Sequence, residues 1–304
     1  MTATPHLDST LGRRMQEELF SQPDCWQATA GMSDAQALLR SPGLRMAIVG
    51  CGTSWFVAQS VAALRERSGL GVTDPFAASE ARLAGRDYDV ILALSRSGTT
   101  TEIVTLLQEA PPAARKIALV ADLASPVAAL ADDVIPLPFA DESSVVQTRF
   151  ASTTVALARA AYGTDLAASI ADARSVLAGE VPQALVETEQ LTCLGQDWTV
   201  GIAHEAALKM REASQSWTES YPAMEYRHGP MSISTGGRAV WMFGEAPERL
   251  AGDVRSTGAT FIQHNRDPLA ELVLAHRVAL ARARARGLDA DAPRHLTRSV
   301  ILSA

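Results

Sequence analysis

Val90-Ile91-Leu92-Ala93-Leu94-Ser95-Arg96-Ser97-Gly98-Thr99-Thr100-Thr101-Glu102 is the stretch on which the fold turns. Five consecutive apolar residues with no polar alternation predict a strand buried on both faces, as in a parallel sheet. The Ser, Thr and Gly that follow predict a turn, and a helix is expected from Glu102 to Glu109. The order is strand, small-residue loop, helix. Working outward, the same order recurs. Met46-Ala47-Ile48-Val49 runs into Gly50-Cys51-Gly52-Thr53-Ser54 and a helical stretch from Trp55 to Glu66. Ile117-Ala118-Leu119-Val120 precedes Asp122 and a helix opened by Ser125-Pro126, and Val134-Ile135-Pro136-Leu137 reads as a fourth strand. This alternation predicts βαβ units, and right-handed crossovers place every C-terminal strand end on one edge, where ligands bind.

A helix from Gly12 to Ser21 precedes this region, and a helical pair from Asp165 to Glu189, broken at Pro182, follows it. The pattern then restarts. Leu194-Gly195-Gln196-Asp197-Trp198 leads into a helix from Val200 to Ala213, much as Val49-Gly50 led into the first. Setting Gly195 on Gly50 also sets Ala203 on Ala58, Ala206 on Val61 and Ala207 on Ala62, which points to a duplicated unit. Ala239 to Phe243 and Thr260 to Ile262 read as further strands, and a last helix ends near Gly287. The second half is the shorter.

The 304 residues correspond to about two domains, and a net charge of −7 argues against a non-specific nucleic-acid binder. Aromatic residues are only 5%, so the core is built from Ala, Val, Leu and Ile. No apolar run approaches the ~18 residues of a membrane span, and Met1 to Thr10 has neither a basic nor an apolar leader region. A cytoplasmic protein is the expectation. Cys25, Cys51 and Cys193 are scattered and form no CxxC pair, so neither a disulfide framework nor a metal site is expected. Only two lysines occur, Lys116 and Lys209.

Four hydroxyls crowd the turn of residues 95–100 at the start of a helix, where free N–H groups favour an anion. The loop fits a phosphate monoester rather than ATP, because it lacks GxxxxGK[ST]. The same residues also serve as an ordinary N-cap and polar turn. Glu205, Lys209 and Glu212 share one helical face by their spacing of four and three. They read either as a solvated salt-bridge ladder or as a general base held beside an ammonium. In Arg227-His228-Gly229-Pro230, the turn fixes a loop histidine that either bonds backbone or acts on a substrate.

Taken together, these residues resemble the sugar isomerase (SIS) family, above all the isomerase half of glucosamine-6-phosphate synthase and the aminosugar-6-phosphate deaminases and isomerases. The likeness runs in order through 15–23, 50–54, 95–102, 142–149, 205–209, 219–221, 225–230 and 291–300. It implies an α/β fold of two tandem SIS domains, each a parallel sheet sandwiched between helices (flavodoxin-like), in a homodimer whose site is shared between subunits. The implied boundaries are an N-terminal helical segment (1–30), a phosphate-binding domain (31–175), an abbreviated second domain supplying acid and base (176–286) and a tail closing over the site (287–304).

The resemblance further implies that Ser95, Arg96, Ser97 and Thr100, beside Cys51, Gly52, Thr53 and Ser54, grip the sugar phosphate. Val145 and Gln147 would touch sugar hydroxyls. Glu212 would move a proton between C1 and C2, and His228 would assist ring opening, with Lys209 as a third catalytic group. Neither metal nor organic cofactor is implied.

Departures from the family pattern matter. Thr2 stands where a glutaminase would carry its cysteine, and the chain is short, so glutamine hydrolysis is not expected. Arg298 replaces the imine-forming lysine of the synthases. An arginine stays protonated and forms no imine, although it can clamp an anion. Arg96 replaces a glutamine and adds a charged donor. The expected activity is cofactor-free isomerisation or deamination of a sugar or aminosugar 6-phosphate. A non-catalytic phosphosugar-binding protein and a fructosamine-6-phosphate deglycase are the alternatives.

Overall fold

A computed structural model describes residues 10–302; the readings made on Thr2 and on the leader segment up to residue 9 fall outside it. Helices α1 (Arg13–Phe20), α2 (Gln22–Thr29) and α3 (Ser33–Arg40) precede β1 (Met46–Gly50) and α4 (Thr53–Arg67). Then come β2 (Thr73–Ala77), β3 (Val90–Ser95), α5 (Thr101–Glu109), β4 (Arg115–Val120), α6 (Pro126–Ala129) and β5 (Asp133–Pro136). Helices α7 (Arg149–Ala161), α8 (Ala167–Ala178) and α9 (Gln183–Glu187) follow. The chain continues with β6 (Gln190–Gly195), α10 (Thr199–Ser214), β7 (Thr218–Pro222) and β8 (Arg238–Phe243). It ends its regular structure in α11 (Leu250–Ser256), β9 (Thr260–Ile262) and α12 (Pro268–Ala285).

These elements form two parallel sheets flanked by helices, one ordered β2-β1-β3-β4-β5 and the other β7-β6-β8-β9. Every strand pair is parallel. The chain divides into two compact units: residues 24–142, 149–167 and 298–302 hold the first sheet, and residues 10–23, 143–148 and 168–297 hold the second. The central strands β1, β3 and β6 are buried at every position, as the apolar runs of β1 and β3 require, while in β6 the buried Gln190 donates to Thr192 Oγ1. The edge strands β2 and β7 escaped the apolar-run reading. Their sequences, Thr-Asp-Pro-Phe-Ala and Thr-Glu-Ser-Tyr-Pro, are mostly half-exposed, and an edge tolerates proline because it has a free hydrogen-bonding side.

Each sheet turns into its first helix over a glycine that nothing else can replace without movement. A Cβ on Gly50 would lie 2.5 Å from the Ser54 carbonyl carbon, and one on Gly195 would lie 2.1 Å from the Thr199 carbonyl oxygen. Each unit also contains a buried arginine that satisfies carbonyls left open at helix ends. Arg65 donates to the carbonyls of Arg40, Ser41, Leu44, Leu70 and Gly71. Arg282 donates to those of Leu185, Val186 and Thr188. The Arg-rich composition therefore includes at least two structural arginines.

Candidate functional site

In the first unit, β1 and β3 are neighbours, paired from Met46 with Val90 to Val49 with Ala93. Their following loops, 50–54 and 95–100, therefore leave the same sheet edge side by side. Thr53, Ser54, Ser95, Arg96 and Ser97 are all buried. Gly98 adopts a φ of 64°, and a Cβ there would fall 1.9 Å from Ser125 Oγ. This conformation folds the loop back on itself: Gly98 N–H donates to Ser95 Oγ at 3.1 Å and Thr99 N–H to Ser97 Oγ at 3.3 Å. Cys51 is half-buried, and burial, followed by the charge of Glu102, pushes its thiol up to about 11. It is a packing thiol rather than a nucleophile.

The loop hydroxyls converge on one point, where this unit's own segment 298–302 lies. Ser97 Oγ and Thr99 Oγ1 donate to Ser299 Oγ at 3.2 and 2.9 Å, and Thr100 Oγ1 is 3.5 Å from it. The first N–H of α5, on Thr101, donates to Val300 O at 3.2 Å. Arg96 Nη2 donates to Arg298 O at 2.8 Å. The guanidinium of Arg298 is itself engaged: Nη2 pairs with Asp141 Oδ1 at 2.6 Å and Nε donates to Glu142 O at 3.0 Å. Arg298 thus fastens the segment to the body of its unit. Ser299 was not singled out in the sequence, although it adjoins Arg298 in the recognised tail motif.

In the second unit, α10 carries Glu205, Lys209 and Glu212 along one face. The solvated-ladder reading does not hold, because the side chains of Glu205 and Lys209 are each 1% exposed. Lys209 Nζ lies 3.6 Å from Glu205 Oε1 and donates to Glu212 Oε2. Only Glu212, 20% exposed, reaches solvent. The buried end of this row meets α12, where His276 is wholly buried with Nε2 4.0 Å from Glu205 Oε1. Burial first, and the Lys209 charge second, lower the His276 imidazole to about 3, so it stays neutral. Nothing in the spacing of α12 marked it, because it interrupts an otherwise apolar helix face.

Glu212 lines two adjoining hollows of about 420 and 370 Å³, within the range of small-molecule sites. His228 ends a single turn of 3-10 helix, Glu225–His228, and is exposed. Its neighbour Arg227 is anchored on Asp253 and on the Glu248 carbonyl. Val145 and Gln147 belong to the second unit, and Gln147 Oε1 is buried with no hydrogen-bond partner among the described residues. The predicted phosphate loops and Arg298 thus fall together in one unit, and Glu212, Lys209, His228, Val145 and Gln147 in the other. Among the described residues no cluster of three or more His, Cys, Asp or Glu could hold a metal ion. No helix there is long and apolar enough to cross a membrane.

No protein-family model matches the chain. A glutamine–fructose-6-phosphate aminotransferase (isomerizing) of Halobacterium salinarum is 31% identical over 248 residues, covering 71% of this chain and 41% of the relative. The chain spans about half the length of the curated relatives it matches. A crystal structure of glucosamine-6-phosphate deaminase from Thermotoga maritima superposes with a TM-score of 0.77 at 23% identity, covering 95% of this chain and all of that one. These relatives and structural neighbours match the resemblance to the sugar isomerase (SIS) family. Another SIS-fold neighbour, tagatose-6-phosphate ketose/aldose isomerase from Escherichia coli, has a TM-score of 0.76 at 18% identity and covers 95% of this chain and 96% of that one.

Proposed function

We propose that this SIS protein is a cofactor-free sugar-phosphate isomerase or aminosugar-6-phosphate deaminase, built from two tandem SIS domains and working as a homodimer. The observation that carries the reading is Glu212: one carboxylate of a buried, charge-paired row that opens into two hollows of ligand size. A carboxylate fixed by a buried ammonium is oriented before substrate arrives, which is the requirement for general-base work. The 95–100 loop supplies what a phosphate monoester needs, namely converging hydroxyls, helix N-terminal N–H groups and Arg96.

In this scheme the loop anchors the 6-phosphate and His228 assists ring opening. Glu212 then takes a proton from one of C1 and C2 and returns it to the other. Lys209 holds Glu212 in place and is too deeply buried to attack a carbonyl. With Arg298 bound to Asp141 and Glu142, no imine forms between protein and substrate: an aminosugar gives its own ketimine by proton transfer alone, and water releases ammonia from it.

The test is incubation with glucosamine 6-phosphate and a panel of hexose 6-phosphates, following ammonia and fructose 6-phosphate. Turnover that disappears in Glu212→Gln while sugar-phosphate binding persists is the expected result. Binding without turnover in the unaltered protein would instead favour the phosphosugar-binding alternative, to which the engaged Arg298 is also suited.

A further inference from the structure

The donors that suit the 95–100 loop to a phosphate are already engaged, and one short segment of the same unit engages them. Arg96 Nη2 donates to Arg298 O at 2.8 Å, and the first N–H of α5, on Thr101, donates to Val300 O at 3.2 Å. Between those two carbonyls in the chain, Ser299 Oγ receives the hydroxyls of Ser97 and Thr99 at 3.2 and 2.9 Å. Three acceptor oxygens from consecutive residues thus meet a guanidinium, two hydroxyls and a helix N-terminal N–H. A phosphate monoester dianion also presents three terminal oxygens, and it requires the same kinds of donor. A donor held by the segment is not available to a phosphate.

The hold of the segment is polar and slight. Val300, Ile301 and Leu302 are each more than half exposed, so little apolar burial fixes them. Beyond the loop contacts, Leu302 N–H donates to Thr101 Oγ1 at 3.0 Å, and Arg298 is tied to Asp141 and to the Glu142 carbonyl. Segments secured by a few exposed hydrogen bonds open at low cost, and neutral oxygens accept more weakly than a dianion. Attachment works the other way, because a tethered segment is present at an effective concentration on the order of millimolar.

We infer that residues 298–302 are an internal competitor for the phosphate, displaced from the 95–100 loop before a sugar phosphate is anchored there. The loop's role as phosphate anchor is taken from the proposed function, on which this competition rests. Measured affinity is then the loop's own affinity reduced by the fraction of molecules in which the loop is free. Small anions that bind weakly are turned away, whereas a sugar phosphate, with further contacts from its carbon chain, is admitted. The sign of the effect separates a competitor from a segment that covers a phosphate already bound. Loosening a competitor tightens binding, and loosening a cover weakens it.

The test is calorimetric titration of inorganic phosphate into the unaltered protein, Arg298→Ala and Ser299→Ala. Arg298→Ala cuts the tie to Asp141 and Glu142, and Ser299→Ala removes the oxygen on which the loop hydroxyls converge. Each should tighten phosphate binding by on the order of fivefold, the worth of about one hydrogen bond. Hydrogen exchange at the Leu302 amide of the unaltered protein gives a reading that needs no variant. Saturating phosphate should accelerate it, since the donation to Thr101 Oγ1 is lost when the segment leaves. Unchanged or weaker binding in either variant, or exchange at Leu302 that phosphate does not accelerate, would overturn the inference and leave the anchor in place. An absence of phosphate binding in all three proteins would remove the anchor itself, and the competition with it.

Discussion

The turn after β3 and the turn after β8 occupy corresponding places in two sheets of nearly matching order, yet their chemistry is opposite. After β3 the chain reads Ser95-Arg96-Ser97-Gly98-Thr99-Thr100; after β8 it reads Gly244-Glu245-Ala246-Pro247-Glu248. Hydroxyls and a guanidinium welcome a phosphate dianion, and two carboxylates repel it. The first helices differ in the reverse sense. Positions of α4 that correspond to Glu205, Lys209 and Glu212 of α10 hold Ser60, Leu64 and Arg67. The shared features are backbone features, a glycine at each strand end and a carbonyl-capping arginine in each unit. In the proposed function, chemistry is divided between the units over a shared scaffold.

That division makes its strongest prediction at Glu212. Glu212→Gln keeps the shape and removes the base, and kcat should fall by roughly 10²–10⁴ with little change in sugar-phosphate affinity. Glu248→Gln, in the loop that replaces the phosphate cradle, should change kcat by no more than about twofold, since an exposed surface carboxylate contributes little. Steady-state kinetics with isothermal titration of both variants separates the two effects. Similar losses in the two variants would erase the proposed division of labour.

The common scaffold is tested at its glycines. Gly50→Ala and Gly195→Ala each drive a methyl into the backbone of the next helix, and each should cost about 3 kcal/mol or more of stability. Gly52→Ala, with nothing within 4 Å of the added Cβ but a φ of 53° and a ψ of −121°, should cost the ~1–3 kcal/mol of a backbone conformation that side-chain-bearing residues rarely adopt. Urea unfolding gives all three. If Gly195→Ala proved mild while Gly50→Ala did not, the equivalence of the two strand ends would be lost.

These glycines also show why much of the fold was legible in sequence. An unbroken apolar run followed by a small-residue turn has few structural solutions, so β1, β3 and β4 were placed to within about two residues. The edge strands β2 and β7 were not, because half-exposed strands with Asp, Glu, Ser and Pro have no apolar signature. Helix α7, buried at nearly every position, also escaped. Its Ala, Ser and Thr pack by being small rather than by forming a hydrophobic stripe. At the site, spacing placed Glu205, Lys209 and Glu212 on one face, but only coordinates distinguish a buried row from a solvated one. His276 and Ser299 act through contacts 71 and 200 or more residues away in the chain, a separation that no local pattern encodes.

A smaller effect is expected in the phosphate loop. Ser97→Ala removes one of the hydroxyls that meet Ser299 and should weaken inorganic phosphate binding roughly tenfold, whereas Ser256→Ala, on the β6–β9 unit, should leave it unaltered. Phosphate titrations followed by calorimetry decide the point. Equal weakening by the two changes would mean that the anion is not held at the 95–100 loop.

The smallest expected effect concerns the buried end of the row on α10, which has no counterpart on α4. Burial and Lys209 hold the folded His276 imidazole near 3, whereas an unfolded histidine titrates near 6.5. Between these values the unfolded chain binds more protons than the folded one, so stability must fall as pH falls below about 6, by at most ~1.4 kcal/mol for each pH unit from this group. His276→Phe fills the same volume and removes that proton linkage. Urea unfolding of both proteins at pH 7.0, 6.0 and 5.0 should give a shallower acid decline in the variant. Parallel declines would show that His276 is not the neutral, buried base on which the row of Glu205, Lys209 and Glu212 rests, and the contrast between α10 and α4 would shrink to the three charged side chains alone.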